Sequence, residues 1–332
     1  MKRPGFMLLR STKNVLASIL SAIAFSLAAI PCSADGVLPK VQESATASPV
    51  PANNGETLPD LFTGTFSYRI PLNVPQGRNG IQPDIALAYN SRGDRGRLGK
   101  GWELETSSIE RDTRLGVDYS GDSFIFRSDN GTIELVRAGN EYRSKVENTF
   151  FRIRKMTASD GRPSWEVTDK TGKRSWFGQT PGSRQDDPAN PDRIFKWCLD
   201  RVEDTNGNYM TMSYWKNKGQ IYLRDIFYAG NSTNGTFPTN WIHIYHYYTG
   251  DNDIYGYDYT FSYKLGFSVQ TLARMQEISV KTNVAVDDDG YYSGTEVGSY
   301  AFDYISSPTT GRPLLSKIKV FGKAKDVWQE YG

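Results

Sequence analysis

The amino-acid sequence predicts an all-β protein, built of many short antiparallel strands that form curved sheets in a shell-, barrel- or sandwich-like scaffold. Three observations predict it. Short alternating apolar runs recur along the chain and are separated by turn dipeptides. Aromatic residues are abundant, with 20 Tyr, 16 Phe and 7 Trp, and such side chains favour pleated, half-buried surfaces. Apart from the amino terminus and a turn around Leu61, no stretch of about twelve or more residues combines helical periodicity with caps, which disfavours parallel α/β folds.

Residues 1–34 read as a secretory signal peptide. Lys2, Arg3, Arg10 and Lys13 precede the uncharged run Val15 to Ile30 and the small residues Cys32-Ser33-Ala34, with cleavage expected after Ala34. A membrane span would need about twenty apolar residues, whereas this run offers sixteen uncharged ones, several of them Ser. Pro31 argues against a lipid anchor on Cys32. Cleavage removes four basic and no acidic side chains, so the whole-chain charge of +2 becomes −2, with 35 Lys+Arg against 37 Asp+Glu. That balance gives no nucleic-acid footprint. Only Cys198 would remain, so no internal disulfide forms, and beside Trp197 and Leu199 it reads as a small buried hydrophobe. Residues 35–58, rich in Ala, Pro, Ser, Thr and Asn, read as a disordered linker. The β domain is expected over 59–322, with a sub-boundary near 180–192 and a tail at 323–332.

The domain opens with Phe66, Tyr68 and Ile70 on one alternating run and Ile85, Leu87 and Tyr89 on the next, joined through an Asn79-Gly80 turn. Hairpins are expected where Phe124–Phe126 and Ile133–Leu135 flank Asp129-Asn130-Gly131, and where Trp165–Val167 and Arg174–Phe177 flank Lys170-Thr171-Gly172. Further strands are predicted at Ile194–Leu199, Tyr209–Trp215, Arg224–Tyr228, Trp241–Tyr248, Tyr257–Tyr263, Leu272–Lys281, Ser299–Tyr304 and Leu314–Phe321.

The segment Gly64 to Trp102 also carries an ordered set of specific residues. Gly64, Phe66, Tyr68, Ile70 and Pro71 are followed by Gly77-Arg78-Asn79-Gly80 and Pro83, then by Leu87 and Tyr89-Asn90-Ser91, and then by Leu98, Gly99 and Gly101-Trp102. It resembles the amino-terminal SpvB domain family, found in a Salmonella virulence protein and in the TcB subunits of insecticidal toxin complexes. A second phrase, Asp204 through Asn206-Gly207-Asn208 to Tyr214, resembles the D-x-N-G-N turn and strand of Rhs or YD repeats, which build hollow β-shells. Asn206-Gly207 suits a tight turn, and Met210, Met212 and Tyr214 share one strand face. With Tyr300–Tyr304 and Arg312–Ile318 resembling the end of the SpvB region, the likeness covers roughly residues 56–322.

Several residue groups have the composition of reactive or metal-binding sites but not the spacing or the surroundings. Gly96–Gly101 lacks the spacing and the Ser or Thr of a phosphate loop. Glu103-Leu104-Glu105 has the spacing of ADP-ribosyltransferase carboxylates but follows the Gly-Trp step on a presumptive strand, without the upstream Arg or Ser-Thr-Ser strand. His243 and His246, the only histidines, fall on opposite faces of an extended strand and so do not share a metal readily. No G-x-S-x-G nucleophile motif accompanies them. Asp287-Asp288-Asp289-Gly290 and Asp251-Asn252-Asp253 do not complete a calcium loop and read as solvated turns.

No catalytic, cofactor-binding or metal-binding residue is therefore assigned. The resemblance implies an exported, non-enzymatic β-scaffold that contributes to a shell enclosing or presenting a toxin. Its expected partners are Rhs- or toxin-complex-type proteins, with no nucleic acid and no membrane span after signal cleavage. Gly64, Gly77, Gly80, Gly99 and Gly101 are expected to set bends, and Phe66, Tyr68, Tyr89 and Trp102 to anchor packing. The chain stops at Gly332, before the propeller, Rhs array or effector domain of larger family members, and an ADP-ribosyltransferase would lie beyond it. Export is expected to end in the medium, the periplasm or at the cell surface, and the resemblance implies that the host cytoplasm is a further destination open to family members. The alternative is a secreted or cell-surface module that recognises carbohydrate or a partner protein through an aromatic-rich face. A secreted hydrolase rests on export alone.

Overall fold

Antiparallel pairing between sequence neighbours organises nearly everything in the computed structural model, which describes residues 64–93, 95–128, 131–146, 150–248, 260–323 and 327–331. The expected signal peptide, the linker, the Leu61 turn and Asp251-Asn252-Asp253 lie outside the described residues. The chain is all-β as its sequence predicts, and the helical element among the described residues is a single 3-10 turn, Pro181–Ser183.

A small sheet opens the fold. It contains β1 (Ser67–Pro71) and β2 (Ala86–Asn90); the two-residue pair β3 (Arg95–Gly96) and β4 (Gly99–Lys100) follows, and β5 (Trp102–Leu104) completes the order β1-β2-β5. Ser67 pairs with Asn90 and Pro71 with Ala86, so the two predicted runs do pair, across a longer loop than a two-residue hairpin.

A barrel follows. Its strands are β6 (Ser108–Arg111), β7 (Phe124–Ser128), β8 (Gly131–Ala138), β9 (Glu141–Ser144), β10 (Arg152–Thr157), β11 (Pro163–Thr168) and β12 (Arg174–Phe177), each paired with the next. After β13 (Arg184–Asp187), the long β14 (Asn190–Glu203) closes the ring. Its Lys196–Cys198 segment pairs with β6 and its Leu199–Glu203 segment with β12, so eight strands form a barrel without free edges. Inward aromatic rings fill one level of it. Phe124 meets Trp165 edge-on at 4.8 Å and Tyr142 and Trp197 at 5.7 Å, the geometry preferred by ring quadrupoles.

From β14 the sheet runs on as an antiparallel meander through β15 (Asn208–Asn217), β16 (Gln220–Asn231) and β17 (Asn240–Tyr248). The short hairpin β18 (Thr260–Ser262) and β19 (Val269–Thr271) interrupts it. The meander resumes with β20 (Ala273–Val286), β21 (Tyr292–Ser306), β22 (Pro313–Gly322) and β23 (Val327–Tyr331). Alternation places Ile226, Ile242 and Val280 in one cross-strand row and Ile244, Ile278 and Tyr300 in another, all buried. Ile70, Leu72, Ile81, Ile85, Leu87 and Leu98 of the amino-terminal segment belong to the same core cluster, so that segment is packed on the meander. Hydrogen bonds tie it there: Tyr300 Oη accepts from the Asn73 amide (2.6 Å), the Arg97 carbonyl accepts from the Met275 amide (3.0 Å), and Arg97 Nη1 donates to the Ile221 carbonyl (2.9 Å).

A second cluster docks the β18–β19 hairpin onto β14, with Phe195, Phe267 and Val269 packed beside Val117, Tyr119 and Leu265. Tyr119 Oη donates to the Leu265 carbonyl at 2.7 Å, and the Arg193 guanidinium lies 4.7 Å over the Tyr119 ring. The position of the expected sub-boundary, 180–192, is occupied by the 3-10 turn, β13 and the start of β14.

Candidate functional site

Two of the sequence motifs meet, although they lie 125 residues apart. Asp204 directly follows β14, and its carboxylate organises the turn that comes next. Asp204 Oδ1 accepts from the amides of Asn206 and Asn208, both at 2.8 Å, while Oδ2 accepts from Asn208 Nδ2 at 2.8 Å. The remaining donor comes from the amino-terminal segment: Asn79 Nδ2 reaches Asp204 Oδ2 at 3.0 Å. Asn79 and Gly80 both have positive φ (50° and 76°), as a tight primed turn requires, and this aims the Asn79 side chain outward. Beside them, Arg78 Nε donates to the Ala229 carbonyl (2.7 Å) and Tyr228 Oη donates to the Pro75 carbonyl (3.0 Å). At Gly77 an added Cβ would lie 2.0 Å from the Ile81 carbonyl oxygen, so a side chain there would force this loop open. Asn231 locks the other side, donating to the Asn206 carbonyl (3.0 Å) and Asn208 Oδ1 (2.9 Å). Gly207 is buried against Ser232 and Thr233.

The donors hold the Asp204 carboxyl below the usual range: burial would raise it, and the hydrogen bonds from Asn79 and Asn208 outweigh that. Asp204→Ala is expected to cost about 1–3 kcal/mol, because several donors lose one acceptor at once. Urea melts check this, and Asn79→Ala should reproduce only a part of the loss.

The second group surrounds the Gly-Trp step. Phe66, Tyr89 and Trp102 form a tilted ring stack, with centroids 6.0 and 5.3 Å apart. Gly101, at φ 81°, passes so close that a Cβ would meet Tyr89 Cε2 at 2.7 Å and the Asn90 carbonyl oxygen at 2.8 Å. Asn90 Oδ1 accepts from the Arg92 amide, and Ser91 Oγ accepts from the Phe66 amide. These rings are not enclosed: Phe66 is 36% exposed, Tyr89 is half-buried, and Trp102 is partly buried against the core. Tyr68 likewise packs at the core margin, Gly64 and Pro71 are exposed, and Pro83 is buried. Gly99 lies against the Pro313–Leu315 backbone.

The charged candidates fall in separate places. Glu105 pairs with Arg69 (2.8 Å) and Glu103 with Arg97 (3.8 Å), on the surface of the small sheet. The Asp287 carboxylate accepts from the Tyr291 amide within its own hairpin turn. Cys198 is buried, which pushes its thiol up to about 11. His246 packs beside the stacked rings of Trp215 and Tyr222. His243 instead joins a constellation that the sequence reading missed: its Nδ1 lies 2.6 Å from Asp225 Oδ1, which also accepts from Trp241 Nε1 (2.9 Å), while Oδ2 accepts from Ser213 Oγ and Arg224 Nε (both 2.8 Å). Burial opposes ionisation of Asp225, yet these donors, His243 foremost, hold its carboxyl well below the usual range. Serine and histidine both bind the carboxylate here, so the geometry makes a buried polar anchor rather than a histidine that activates the serine hydroxyl. Register could have revealed it, since Ser213, Asp225 and His243 fall in one cross-strand row.

A family model described as Salmonella virulence plasmid 65kDa B protein, SpvB, matches residues 61–141 and 128–234, more than half of the sequence and both motifs of the junction. The chain belongs to the SpvB family. Among curated SpvB-family relatives, the mono(ADP-ribosyl)transferase SpvB of Salmonella typhimurium is 26% identical over 181 residues, covering 47% of this chain and 30% of the relative. The chain thus spans about a third or less of the length of the curated relatives it matches. Solved structures give the same fold. The N-terminal domain of SpvB from Salmonella typhimurium strain LT2 superposes with a TM-score of 0.62 at 19% identity, covering 76% of this chain and 98% of that domain. The structure of TcdB2-TccC3-Cdc42 gives a TM-score of 0.65 at 18% identity over 80% of this chain and 15% of that one. A Photorhabdus luminescens Tc holotoxin pore gives 0.64 at 17% identity, covering 82% and 15%. This SpvB-family chain therefore matches the N-terminal region and not the ADP-ribosyltransferase part. Among its described residues, no helix is long and apolar enough to cross a membrane, and no three His, Cys, Asp or Glu side chains are grouped to hold a metal ion.

Proposed function

We propose that this chain is an exported, non-enzymatic scaffold of a toxin complex, contributing wall to a shell that encloses or presents an effector carried by a Rhs-type partner. The observation that carries the reading is the fold match to TcdB2-TccC3 over four-fifths of this chain, in which the matched region is only 15% of the larger protein. A fold that recurs as one part of toxin assemblies, with its sheets closed or covered and its polar junctions spent on turns and docking, supports a wall better than a reaction centre. Export rests on the basic, apolar and small-residue pattern of residues 1–34.

The test is co-expression of this chain with the Rhs-type protein encoded nearest to it. The expected result is a complex that survives gel filtration and shields the partner's carboxy-terminal segment from protease. Separate elution of the two proteins, with the segment cut at its free rate, overturns the reading. A second reading, a surface module that binds a glycan or protein, draws on the exposed rings of Tyr245, Tyr247, Tyr291 and Tyr292 on the meander; binding to a glycan array by the isolated chain would favour it.

A further inference from the structure

The interior of the barrel changes character towards one end. Residues alternate in and out along each strand, and on the inward side of β8 Ile133 and Leu135, both buried, give way to Arg137. On β10 the buried Ile153 gives way to Lys155 and Thr157. A pocket of about 330 Å³ opens at this end, with Asp122, Arg137, Asn140, Tyr142, Lys155 and Thr157 in its lining. That volume is at the small end of the range for small-molecule sites, about 300–1,000 Å³, and barrel mouths are one of their common locations.

One aromatic ring, Tyr142, lines the pocket, and two others pack against it. Tyr142 is 3% exposed and touches Trp165 and Phe124 edge-on, at 4.9 and 5.7 Å. The Lys155 ammonium is suspended over them, 5.0 Å from the Phe124 centroid and 5.9 Å from that of Trp165. Asp122 fixes the polar rim: it accepts from Tyr142 Oη (2.6 Å) and Arg137 Nη1 (3.0 Å), and Lys155 Nζ lies 3.6 Å away. Two cations thus share one carboxylate, so the pocket carries an excess positive charge. A guanidinium already aligned by a carboxylate is prepared to take a second anion.

We propose that this barrel mouth binds a monosaccharide-sized anion, a sugar carrying a carboxylate or phosphate group. Arg137 and Lys155 hold the anionic group, the Asn140 amide and Thr157 hydroxyl face the ring hydroxyls, and Tyr142 supplies an apolar surface. The site is independent of the wall reading above, because it lies within the barrel and needs no partner protein.

Calorimetric titration of the secreted chain with glucuronate, glucose 6-phosphate and neutral glucose tests it. At least one of the two anions is expected to bind with a Kd of about 1 mM or tighter, and glucose not to bind. Lys155→Met and Arg137→Gln are each expected to weaken binding about tenfold or more at an unchanged melting temperature; the Arg137 side chain is 63% exposed, so this variant keeps the test alive if the lysine variant unfolds. Which anion binds assigns carboxylate or phosphate. Silence from both at about 10 mM, equal binding of glucose, or variants that bind as the native chain does would overturn the proposal.

Discussion

Trp197→Ala is expected to lower the unfolding free energy by about 3–5 kcal/mol, the range for deleting a fully buried aromatic side chain. Trp197 is 0% exposed, edge-on to Phe124 at 5.7 Å and to Trp165 at 5.9 Å, and its indole N–H donates to the Pro163 carbonyl at 2.7 Å. The Arg111 guanidinium lies 5.7 Å from its ring, braced by hydrogen bonds to the carbonyls of Ile194, Asp118 and Gly121. Position adds to contact. Trp197 sits on β14, the strand that closes the barrel and also begins the meander, so the cavity would loosen the connection between the two. One cooperative transition at a lower urea midpoint is expected. Trp176→Ala is the control: that ring is partly exposed beneath the Arg174 guanidinium at 4.9 Å, and its loss should cost about 1 kcal/mol or less. Equal losses from the two substitutions would mean that the ring cluster does not carry the barrel.

The contrast between those two tryptophans also marks what the sequence could reveal. Alternation and turn residues exposed the hairpins β7–β8 and β11–β12, and most strands from β14 onward, because each of these signals is local. Other elements gave none, β6 and β19 among them. β13, Arg184-Gln185-Asp186-Asp187, reads as a polar loop, yet all four residues are buried; Arg184 pairs with Asp160, Lys216 with Asp186 and Arg193 with Asp187, at 2.6, 2.6 and 2.9 Å. Three of the six residues of β10 are basic, and its two arginines are neutralised by neighbours that only the pairing brings near, Glu141 to Arg152 and Glu166 to Arg154. β9 is four residues long, and β23 follows a break in the alternation after β22. Barrel closure rests on one strand that changes partner part-way, which no local pattern records.

The same reasoning applies to the motifs. Gly77-Arg78-Asn79-Gly80 and Asp204 through Asn208 were each legible as turns, but their meeting is a tertiary fact. The aromatic residues of the first motif were expected to anchor the packing; the ring stack they form is half open, and the largest fully buried rings are Trp165, Trp197, Tyr222 and Tyr228. Spacing identifies which residues alternate, whereas depth depends on what later covers them. The Gly-Trp motif lies on a three-stranded sheet with one face towards the core, so its rings line a margin.

Acid should weaken this fold before its carboxylates protonate, and His246 is the reason. Burial first, and then the nearby positive charge of Arg97, pull its imidazole down from 6.5 to about 4. Its ring packs against Tyr222 at 5.3 Å and Trp215 at 6.4 Å, with Nε2 buried and without a hydrogen-bond partner among the described residues. The unfolded chain takes up a proton on this imidazole below about pH 6.5, and the folded one does so only near pH 4. Protons therefore favour the unfolded state across that window: the stability that His246 contributes is whole above pH 6.5, falls as the pH drops, and is gone by about pH 4, for a total of about 3 kcal/mol. Asp160, which Arg184 holds down to about 2, adds a loss that begins only below its ordinary value of 3.8, so the two effects separate on the pH axis. Urea unfolding at intervals between about pH 7 and pH 4.5 should show the decline in the native chain and a much flatter profile in His246→Gln, whatever that substitution costs at neutral pH. Parallel decline of the two would assign the acid sensitivity elsewhere, and a flat profile in both would mean that water reaches the imidazole and its packing against Trp215 and Tyr222 is open in solution.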